Sequence, residues 1–421
     1  MQLRPIDPVA KRRRMMLFAN NGGPGLRQAL LDGAPFLAEL THSLVLQRGT
    51  GSPTFTRASE ATVMGYGPTD NAVDGLKLLT VAANEARFVG ARRISEGVWS
   101  NTFADGSLIP AATNTGYLAE GARTQILPTA DIRDMTTAAW TLGATMTRAR
   151  TSVGADGAAN SATRLTGGAV AATNTCYTTI TAAASSRTYS ALVKRVTGTG
   201  PVRIVQTGTE TDISSQLATT GYALVQLTAS VLNVAIGFKM DTNGDAIDVD
   251  FNQFEAGAFA SSRIAAAVTR AADVLTYTGG DIANLKTLYC AYQRAQGVSS
   301  IGVAAALTDG TTTNYIVEYL DNVTARFAAG AAGATQGDSV STVPYVAGTT
   351  AKVAMTRGLN ASKRAMDGVA QPEDTTFAVP TIDRVDVGHY ASGQLVFNGN
   401  VGHVIGWTRN PSQSELDAIT V

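Results

Sequence analysis

The chain has 421 residues, of which 44% are hydrophobic and only 16% are charged. This balance excludes a disordered protein and leaves enough apolar side chains for several cores. Lys plus Arg equals Asp plus Glu at 33 each, so no net charge draws the molecule to nucleic acid or to an anionic membrane. We therefore expect neither as a partner, and the length predicts two or three domains.

The N-terminal segment, residues 1–45, contains the densest positive charge of the chain. Its basic run is Lys11, Arg12, Arg13 and Arg14. Four cations neutralise too few phosphates for strong nucleic-acid binding, but they suit an acidic groove on a neighbouring subunit; plain solvation is the alternative. The apolar run behind them is too short for a secretion signal, so we expect a protein that starts soluble in the cell that makes it.

The same segment also carries apolar residues at helical spacing. Leu26, Leu30 and Leu31 predict a short helix, and Phe36, Leu37 and Leu40 suit a second apolar turn, so helix is predicted within 26–40. A segment this small has no core of its own. We expect it to dock on the rest of the chain or on a partner.

The remainder of the chain shows the pattern of β-structure. Glycines between residues 46 and 128 leave no room for crossover helices, which favours antiparallel pairing. Later runs alternate between apolar and polar positions, and such one-sided strands predict sandwiches of antiparallel sheets. The alternating runs are Leu232, Val234, Ile236 and Phe238; Ile247, Val249 and Phe251, with Asp248, Asp250 and Asn252 opposite; Tyr315, Val317 and Tyr319, with Ile316 and Glu318 opposite; Val385 and Val387; and His403, Ile405 and Trp407.

Two local signals predict how particular runs begin or end. Ser412 and Glu415 have the spacing of a capping box, which predicts a closing helix over residues 412–419. Asn243 and Gly244 lie between two alternating runs and predict a hairpin turn. The acidic residues around that turn do not have the spacing of a calcium loop.

The sequence carries no motif for catalysis or for a metal. Its three histidines, His42, His389 and His403, lie outside any nucleophile or triad motif, so we expect a protein that is not an enzyme. Cys176 and Cys290 lack paired-ligand spacing, so we expect neither a metal nor a cofactor. Two buried thiols are the favoured interpretation, and a disulfide is the alternative.

Five phrases occur in a fixed order along the chain. They are Phe55–Thr62 (FTRASEAT), Ala83–Phe88 (ANEARF), Gly116–Thr124 (GYLAEGART), Asn252–Ser262 (NQFEAGAFASS) and Thr269–Asp273 (TRAAD). Together they resemble a family of virion proteins of tailed bacteriophages: minor tail proteins, tail fibres and related adhesins. The resemblance covers residues 50–275 well and residues 276–421 by pattern only, and residues 1–45 match nothing in the family.

The resemblance implies a domain order for a mainly β chain. Residues 1–45 are expected to be the virion-docking segment, with short helical or extended structure, and residues 46–128 a small β-rich region. A carbohydrate-binding-module-like jelly roll is expected at 129–275. A concanavalin- or laminin-G-like sandwich is expected at 276–421.

The resemblance also implies a function and partners. The expected protein is a fibre, spike or minor tail adhesin that binds host surface glycans, made in the bacterial cytoplasm and extracellular on the particle. It is expected to bind other virion proteins through its N-terminal segment and to form a homo-oligomer, with a trimer favoured. A purely structural head-decoration or tail-wall component is the first alternative, and a glycan depolymerase is the second.

Three aromatic residues are candidates for stacking on sugar rings. They are Tyr319, Tyr390 and Trp407, because aromatic faces pack against the apolar faces of sugars. Aromatic residues make up only 6% of the chain, and several cores need filling. The favoured interpretation of each is therefore a core residue.

Overall fold

The computed structural model describes residues 34–421 except for 296–297, 299, 322–323 and 392. The predicted docking residues Lys11, Arg12, Arg13 and Arg14 lie outside the described residues, as does the first part of the predicted helical segment, residues 26–33.

The described chain forms two antiparallel β-sandwiches, which confirms the predicted fold class. Residues 34–119 and 274–421 form one of them, named here the main sandwich. Residues 129–256 form the other, the inserted sandwich, because the chain leaves the main sandwich to build it and then returns. Residues 120–128 and 257–273 connect the two, and we call this pair of segments the neck.

One layer of the main sandwich is an eight-stranded antiparallel sheet. In spatial order its strands are β29 (Val369–Asp374), β28 (Ser362–Met366), β27 (Thr350–Thr356), β22 (Thr287–Arg294), β31 (Gly399–Trp407), β8 (Gly116–Ala119) and β5 (Phe88–Val89), with β1 (Phe36–Glu39) paired to the second half of β31.

The opposing layer is a seven-stranded antiparallel sheet. Its order is β2 (Ser52–Thr56), β21 (Val274–Thr278), β30 (Arg384–Val387), β23 (Gly302–Thr308), β24 (Tyr315–Asp321), β25 (Thr324–Ala331) and β26 (Ala334–Pro344). Two hairpins lie beside these layers, β3 (Ala61–Gly65) with β4 (Lys77–Val81) and β6 (Arg92–Ser95) with β7 (Val98–Ser100).

Apolar side chains of both layers meet between the sheets and form the main core. Tyr292 and Val404 contribute from the eight-stranded sheet, and Leu307, Phe327 and Val385 contribute from the seven-stranded sheet. All are nearly inaccessible to solvent. Burial of such faces is the principal driving force for assembling the sandwich.

The inserted sandwich has two five-stranded sheets around a second core. Their strands are β10 (Thr141–Leu142), β13 (Thr175–Ile180), β18 (Val234–Met240), β15 (Val202–Gln206) and β16 (Thr209–Asp212) in one, and β11 (Thr147–Ser152), β12 (Ala162–Thr166), β19 (Ala246–Ala256), β14 (Ser185–Thr197) and β17 (Ala223–Val231) in the other. Helix α1 (Thr129–Arg133) precedes β10, and the neck holds the paired strands β9 (Arg123–Thr124) and β20 (Thr269–Arg270). Three 3-10 turns complete the elements of the described residues, at Ala171–Thr173, Ser214–Gln216 and Ile282–Asn284.

The two cysteines lie in different cores and do not form a disulfide. Cys176 packs in the inserted sandwich and Cys290 in the main sandwich, and both are buried thiols. Burial raises the pKa of Cys176 to about 11, so this thiol stays protonated at neutral pH.

The closing helix is confirmed. Helix α2 (Gln413–Thr420) begins at a complete capping box, in which Ser412 N donates to Glu415 Oε2 at 2.7 Å and Glu415 N donates to Ser412 Oγ at 3.3 Å. Its Leu416 packs with Ile405 and Trp407 on the outer face of the eight-stranded sheet. The helix therefore covers part of a sheet face that would otherwise be exposed.

The N-terminal segment differs from expectation in the part that the structure describes. Phe36–Glu39 forms strand β1 rather than a helical turn. Phe36, Ala38 and Leu40 are buried while Leu37 and Glu39 are only partly buried, and this period of two suits a strand. The free edge of β31 supplies the hydrogen-bond partners that favour the extended form.

The sequence-based domain boundaries differ from the observed sheet membership. Strands from residues 46–128, predicted to form a separate region, lie in the same two sheets as strands from residues 276–421. Strand β21 begins at Val274, inside the range assigned to the jelly roll, and belongs to the main sandwich. Pairing between strands far apart in sequence leaves no local signal, so the insertion was not visible in the sequence.

The predicted hairpin at Asn243 and Gly244 is wrong. The two residues form a turn, and Gly244 has a φ of 80°. The flanking strands β18 and β19, however, lie in opposite sheets of the inserted sandwich. The turn therefore carries the chain from one layer to the other.

Two alternating runs bury residues that the pattern placed on the polar, solvated face. In β24, Ile316 and Leu320 point into the main core together with the buried Glu318. In β19, Asp248 and Asp250 are fully buried rather than solvated. Arg164 Nε donates to Asp248 at 2.9 Å, and neighbouring cations complete the neutralisation of both carboxylates. Alternation identified both strands and the core face of β19, but not the core face of β24.

Candidate functional site

A pocket of about 380 Å³ opens on the outer face of the eight-stranded sheet. Its floor comes from β1, β22 and β31, and its wall comes from the loop at residues 101–115. This volume is within the range of small-molecule sites. The residues that line it are Glu39, Thr41, Asn101, Leu108, Ile109, Pro110, Ala111, Asn114, Thr115, Ala291, Tyr292, Gln293, Thr350, Gly402 and His403.

Strand register places the polar groups of the floor in one row. Glu39 lies opposite His403, His403 lies opposite Ala291, and Ala291 lies opposite Lys352, across four adjacent strands. Cross-strand neighbours of this kind project from the same face. The small side chain of Ala291 leaves open space in the row beside His403.

Local hydrogen bonds and packing shape the wall of the pocket. Asn114 N donates to Pro110 O at 3.0 Å and closes a turn. Ile109 packs with Phe103 and Tyr66 in a small buried cluster. The wall therefore has its own apolar anchor, and we expect the pocket to be largely preformed.

The titratable groups of the floor are shifted toward their neutral forms. Burial, and then the charge of Lys352, lower the pKa of His403 to about 4, so the imidazole is neutral at pH 7. Burial raises the pKa of Glu39, against a hydrogen bond from Thr41 Oγ1 at 3.3 Å. The neutral imidazole of His403 adds no charge to the floor, so it suits a polar ligand that forms hydrogen bonds.

One buried polar atom of the wall has no hydrogen-bond partner within the described part of the chain. Asn114 is only 7% exposed, and its Oδ1 accepts no hydrogen bond there. An unsatisfied buried acceptor costs free energy, roughly 1–3 kcal/mol. A ligand hydroxyl that donates to this oxygen would remove that cost.

Two of the three aromatic candidates are buried. Trp407 is 1% exposed and packs under α2, so its ring faces are inaccessible to a sugar. Tyr390 is 8% exposed and packs against Tyr315 with ring centroids 5.3 Å apart. Both fill local clusters, as the core interpretation expected.

Tyr319 is the most accessible of the three candidates. It is half-buried on the outer face of the seven-stranded sheet, with Arg326 Cζ 5.8 Å from its ring centroid. It belongs to a different layer from the pocket and does not line it. The structure therefore does not bring the three predicted aromatic residues together in one site.

The three histidines lie in separate environments. His389 is fully buried, with its Nε2 3.0 Å from the carbonyl oxygen of Leu275. His42 Nδ1 is 3.0 Å from Thr41 Oγ1, at the rim of a second, more open cavity of about 590 Å³. Only His403 lines the pocket.

The described residues contain neither a metal-binding cluster nor a membrane-spanning helix. No three His, Cys, Asp or Glu side chains in this part of the chain are placed to hold a metal ion together. No helix within the same residues is long and apolar enough to span a membrane.

Sequence reasoning missed most of the pocket. Glu39 lay in a segment interpreted as helical, and Asn114 lay in a glycine-punctuated stretch without periodicity. The alternation of His403 with Ile405 and Trp407 gave the only usable signal, since all three do share the outer face of β31. What brings the other residues to His403 is long-range strand pairing.

Comparison with known proteins yields no match to any family model and none to any curated protein. Among solved structures, the carbohydrate-binding module (CBM40) of the Ruminococcus gnavus IT-sialidase bound to α2,3-sialyllactose is 16% identical. The match covers 32% of this chain and 83% of that one, with a TM-score of 0.29.

Two further solved structures illustrate the same β-rich likeness. The tandem CBM22 domains of Paenibacillus barcinonensis Xyn10C are 11% identical over 69% of this chain and 99% of that chain, with a TM-score of 0.26. The SAP-like pentraxin of Limulus polyphemus is 8% identical over 32% of this chain and 69% of that chain, also with a TM-score of 0.26. Distant structural neighbours thus include carbohydrate-binding modules, but at these TM-scores the likeness carries no argument about function.

Proposed function

We propose that this chain is a non-catalytic glycan-binding component of a bacteriophage virion, and that the pocket on the eight-stranded sheet is its binding site. The observation that carries the proposal is the pocket itself. It combines a concave shape with the buried, unsatisfied acceptor of Asn114 in its wall and a neutral His403 in its floor.

The lining of the pocket matches the chemistry of a sugar ring. A pyranose presents hydroxyl groups around its edge and C–H groups on its faces. Leu108 and Pro110 offer apolar surface to the faces, while Asn101, Asn114 and Gln293 offer amides to the hydroxyls. Amides both donate and accept, so they suit hydroxyls, which do the same.

The assignment to a virion rests on the five phrases and their resemblance to phage tail proteins. Under this assignment, residues 1–45 attach the chain to other virion proteins, and the sandwiches face outward. The protein acts as a fibre, spike or minor tail adhesin, extracellular on the particle. A homo-oligomer, with a trimer favoured, provides several glycan sites and raises avidity.

Glycan binding is tested with an array of bacterial surface polysaccharides. The proteins compared are the unmodified chain, Asn114→Ala and the control Asn71→Ala, which lies outside the pocket. We expect the unmodified chain and the control to bind at least one glycan and Asn114→Ala to bind about tenfold more weakly. Absence of binding by the unmodified chain would refute glycan binding, and equal binding by Asn114→Ala would move the site elsewhere.

The virion assignment is tested separately, by incorporation into particles. Because Phe36–Glu39 is part of the main sandwich, the informative truncation begins at residue 34. We expect that truncation to be absent from purified particles, and the joint change of Lys11, Arg12, Arg13 and Arg14 to Ala to reduce incorporation. Normal incorporation of the truncated chain would place the docking surface in the sandwiches.

A purely structural role in the particle is the second candidate function. The burial of Trp407 and Tyr390 favours it, because a stacking platform is thereby lost. A structural component would appear in purified particles yet bind no polysaccharide on the array. The same two experiments therefore separate the two functions.

A further inference from the structure

We propose that the neck is a rigid lock that holds the inserted sandwich in one orientation on the main sandwich, rather than a flexible linker. Its centre is a buried cluster of three arginines and two carboxylates. The lock would operate whether or not the protein binds glycans.

The two segments of the neck are hydrogen-bonded to each other over residues 120–125 and 268–273. Asp273 N donates to Glu120 O at 2.9 Å at one end, and Gln125 N donates to Val268 O at 3.1 Å at the other. Strands β9 and β20 pair between these points. A single connecting segment would let the sandwiches reorient through changes in its φ and ψ angles. Two paired segments restrain each other's backbone and so limit that motion.

The charged cluster lies at the end of the neck next to the main sandwich. Arg87 Nη1 donates to Glu120 Oε2 at 2.8 Å, and its Nη2 donates to Asp273 Oδ2. Arg57 Nη1 donates to the other oxygen of Asp273 at 3.0 Å. Arg270 lies 3.5 Å from Glu120 and 3.6 Å from Asp273. All five side chains are at most 8% exposed.

Members of the cluster come from different elements. Arg57 follows β2, Arg87 precedes β5 and Glu120 follows β8, so all three are anchored by the sheets of the main sandwich. Arg270 lies in β20, and Asp273 immediately precedes β21. The cluster therefore ties the returning segment of the neck to both sheets of the main sandwich at once.

A second set of contacts ties the neck to the inserted sandwich. Ser262 donates to Glu120 from its N at 2.8 Å and from its Oγ at 2.6 Å. Ser261 donates in the same way to Glu255 of β19, at 2.8 Å from each atom. Arg263 Nη1 donates to a serine hydroxyl of β14 at 2.8 Å. Polar contacts thus continue without a break from one sandwich to the other.

The hairpin β3–β4 provides a contact away from the neck axis. Leu78 of β4 is buried in the core of the inserted sandwich, and its N donates to Ala155 O at 2.8 Å. Thr62 of β3 donates to Arg263 O at 2.6 Å. Contacts at separated points oppose rotation about the neck, which a single point of contact would allow.

The energetics of buried charge make this arrangement a lock. Moving the inserted sandwich by a few ångströms would strain the paired segments of the neck and pull Ser262 away from Glu120, whose carboxylate would remain away from water. An unpaired buried charge is strongly unfavourable, and the cost rises steeply with displacement. A tilted arrangement is therefore poorly populated, although a paired cluster need not add much net stability.

All five phrases of the sequence contribute to this one place. Arg57, Arg87 and Glu120 lie in the first three phrases, Glu255 lies in the fourth and Asp273 lies in the fifth. Phrases separated by more than a hundred residues thus have a common structural cause. That cause is the junction, not a ligand site.

The orientation is measured by the distance between two spin labels. Val170→Cys in the inserted sandwich and Leu359→Cys in the main sandwich supply exposed attachment points, 49% and 70% exposed, while Cys176 and Cys290 are buried. The full chain is compared with versions that also carry Asp273→Asn or Ser262→Ala. The matched control is Asp134→Asn, which breaks an ion pair on the surface with Arg150.

We expect a single narrow distance in the unmodified chain and in the control. In Asp273→Asn we expect a broadened distribution and a Tm lower by roughly 10 °C, because the arginines lose a shared carboxylate. Ser262→Ala, a milder change, should broaden the distribution even if Asp273→Asn fails to fold. A broad distribution in the unmodified chain would overturn the proposal, as would an unchanged narrow one in folded Ser262→Ala and Asp273→Asn.

Discussion

The neck and the pocket both contain buried polar groups, but these groups differ in how many hydrogen-bond partners the protein gives them. In the neck, the carboxylates of Glu120 and Asp273 each receive several donors from the protein itself. In the pocket, Asn114 is one of the lining residues, and its buried Oδ1 lacks a partner among the described residues. A fully satisfied cluster holds structure, whereas an unsatisfied group beside a cavity is available to a ligand. Residue type alone does not distinguish the two cases.

Their carboxylates differ in pKa for the same reason. Burial by itself raises the pKa of Glu120, but Arg270, Arg87 and the donors of Ser262 outweigh it and lower the pKa to about 2. Burial of Glu39 in the pocket floor is opposed by one hydroxyl, so its pKa is raised. The stability that Glu120 contributes is present above its unfolded pKa and is lost as the pH falls through about 2.

The largest expected effect comes from removing the centre of the neck cluster. Arg87→Ala leaves Asp273 and Glu120 without the guanidinium that bridges them, and we expect a loss of about 3–5 kcal/mol in the free energy of unfolding. Urea unfolding provides the measurement. The control Arg150→Ala removes a surface ion pair and should cost at most about 1 kcal/mol. Equal losses in the two variants would contradict the distinction between neck and surface.

Glu318, a buried carboxyl group in the main core, shows how burial changes a pKa when few hydrogen-bond donors and cations oppose it. Glu318 is 5% exposed and has Tyr292 Oη 3.3 Å away, and burial raises its pKa to about 8, with Arg364 opposing the shift only in part. A raised folded pKa means that stability is fully present below about pH 4.5 and falls as the pH rises toward 8. We expect this group to remove roughly 3–4 kcal/mol between pH 5 and pH 8.

The substitution Glu318→Gln isolates that effect. The amide keeps the shape and the contact with Tyr292 but does not titrate. Denaturant unfolding of both proteins at several pH values should show equal stabilities near pH 5 and a more stable variant at pH 8. If the difference in the free energy of unfolding between the two proteins were the same at every pH, Glu318 would have the same pKa in the folded and unfolded chains.

A substitution in the pocket should change glycan affinity more than it changes the free energy of unfolding. Asn114→Ala is expected to weaken glycan binding about tenfold, since one buried acceptor is lost. Its free energy of unfolding should change by less than about 1 kcal/mol, because Oδ1 has no partner to lose among the described residues. Titration calorimetry and urea unfolding of the same preparation separate the two quantities. A large stability loss with unchanged binding would assign Asn114 a structural role.

The smallest effect is expected at the most accessible of the aromatic candidates. Tyr319 lies outside the pocket and on the other layer of the main sandwich. Tyr319→Ala should therefore leave glycan affinity within about twofold of the unmodified chain. A loss as large as that of Asn114→Ala would place the sugar on the seven-stranded sheet instead.

The sequence by itself determined the local features of this protein. Alternation identified β19, β24, β30 and β31 as strands, and the capping box placed α2, because these signals depend on neighbours within a few residues. The five phrases are the basis for proposing a phage virion protein. They did not reveal that their charged residues meet in one buried cluster.

Only the tertiary structure decided the insertion, the neck and the pocket. Glu39 meets His403 through the pairing of β1 with β31, and Arg57 meets Asp273 after an excursion of more than two hundred residues. The opposing sheet also decides which face of β24 is buried, and therefore whether the side chain of Glu318 is buried. Such contacts are selected by the total burial and hydrogen bonding of the fold, and a local stretch of sequence carries no record of its distant partner.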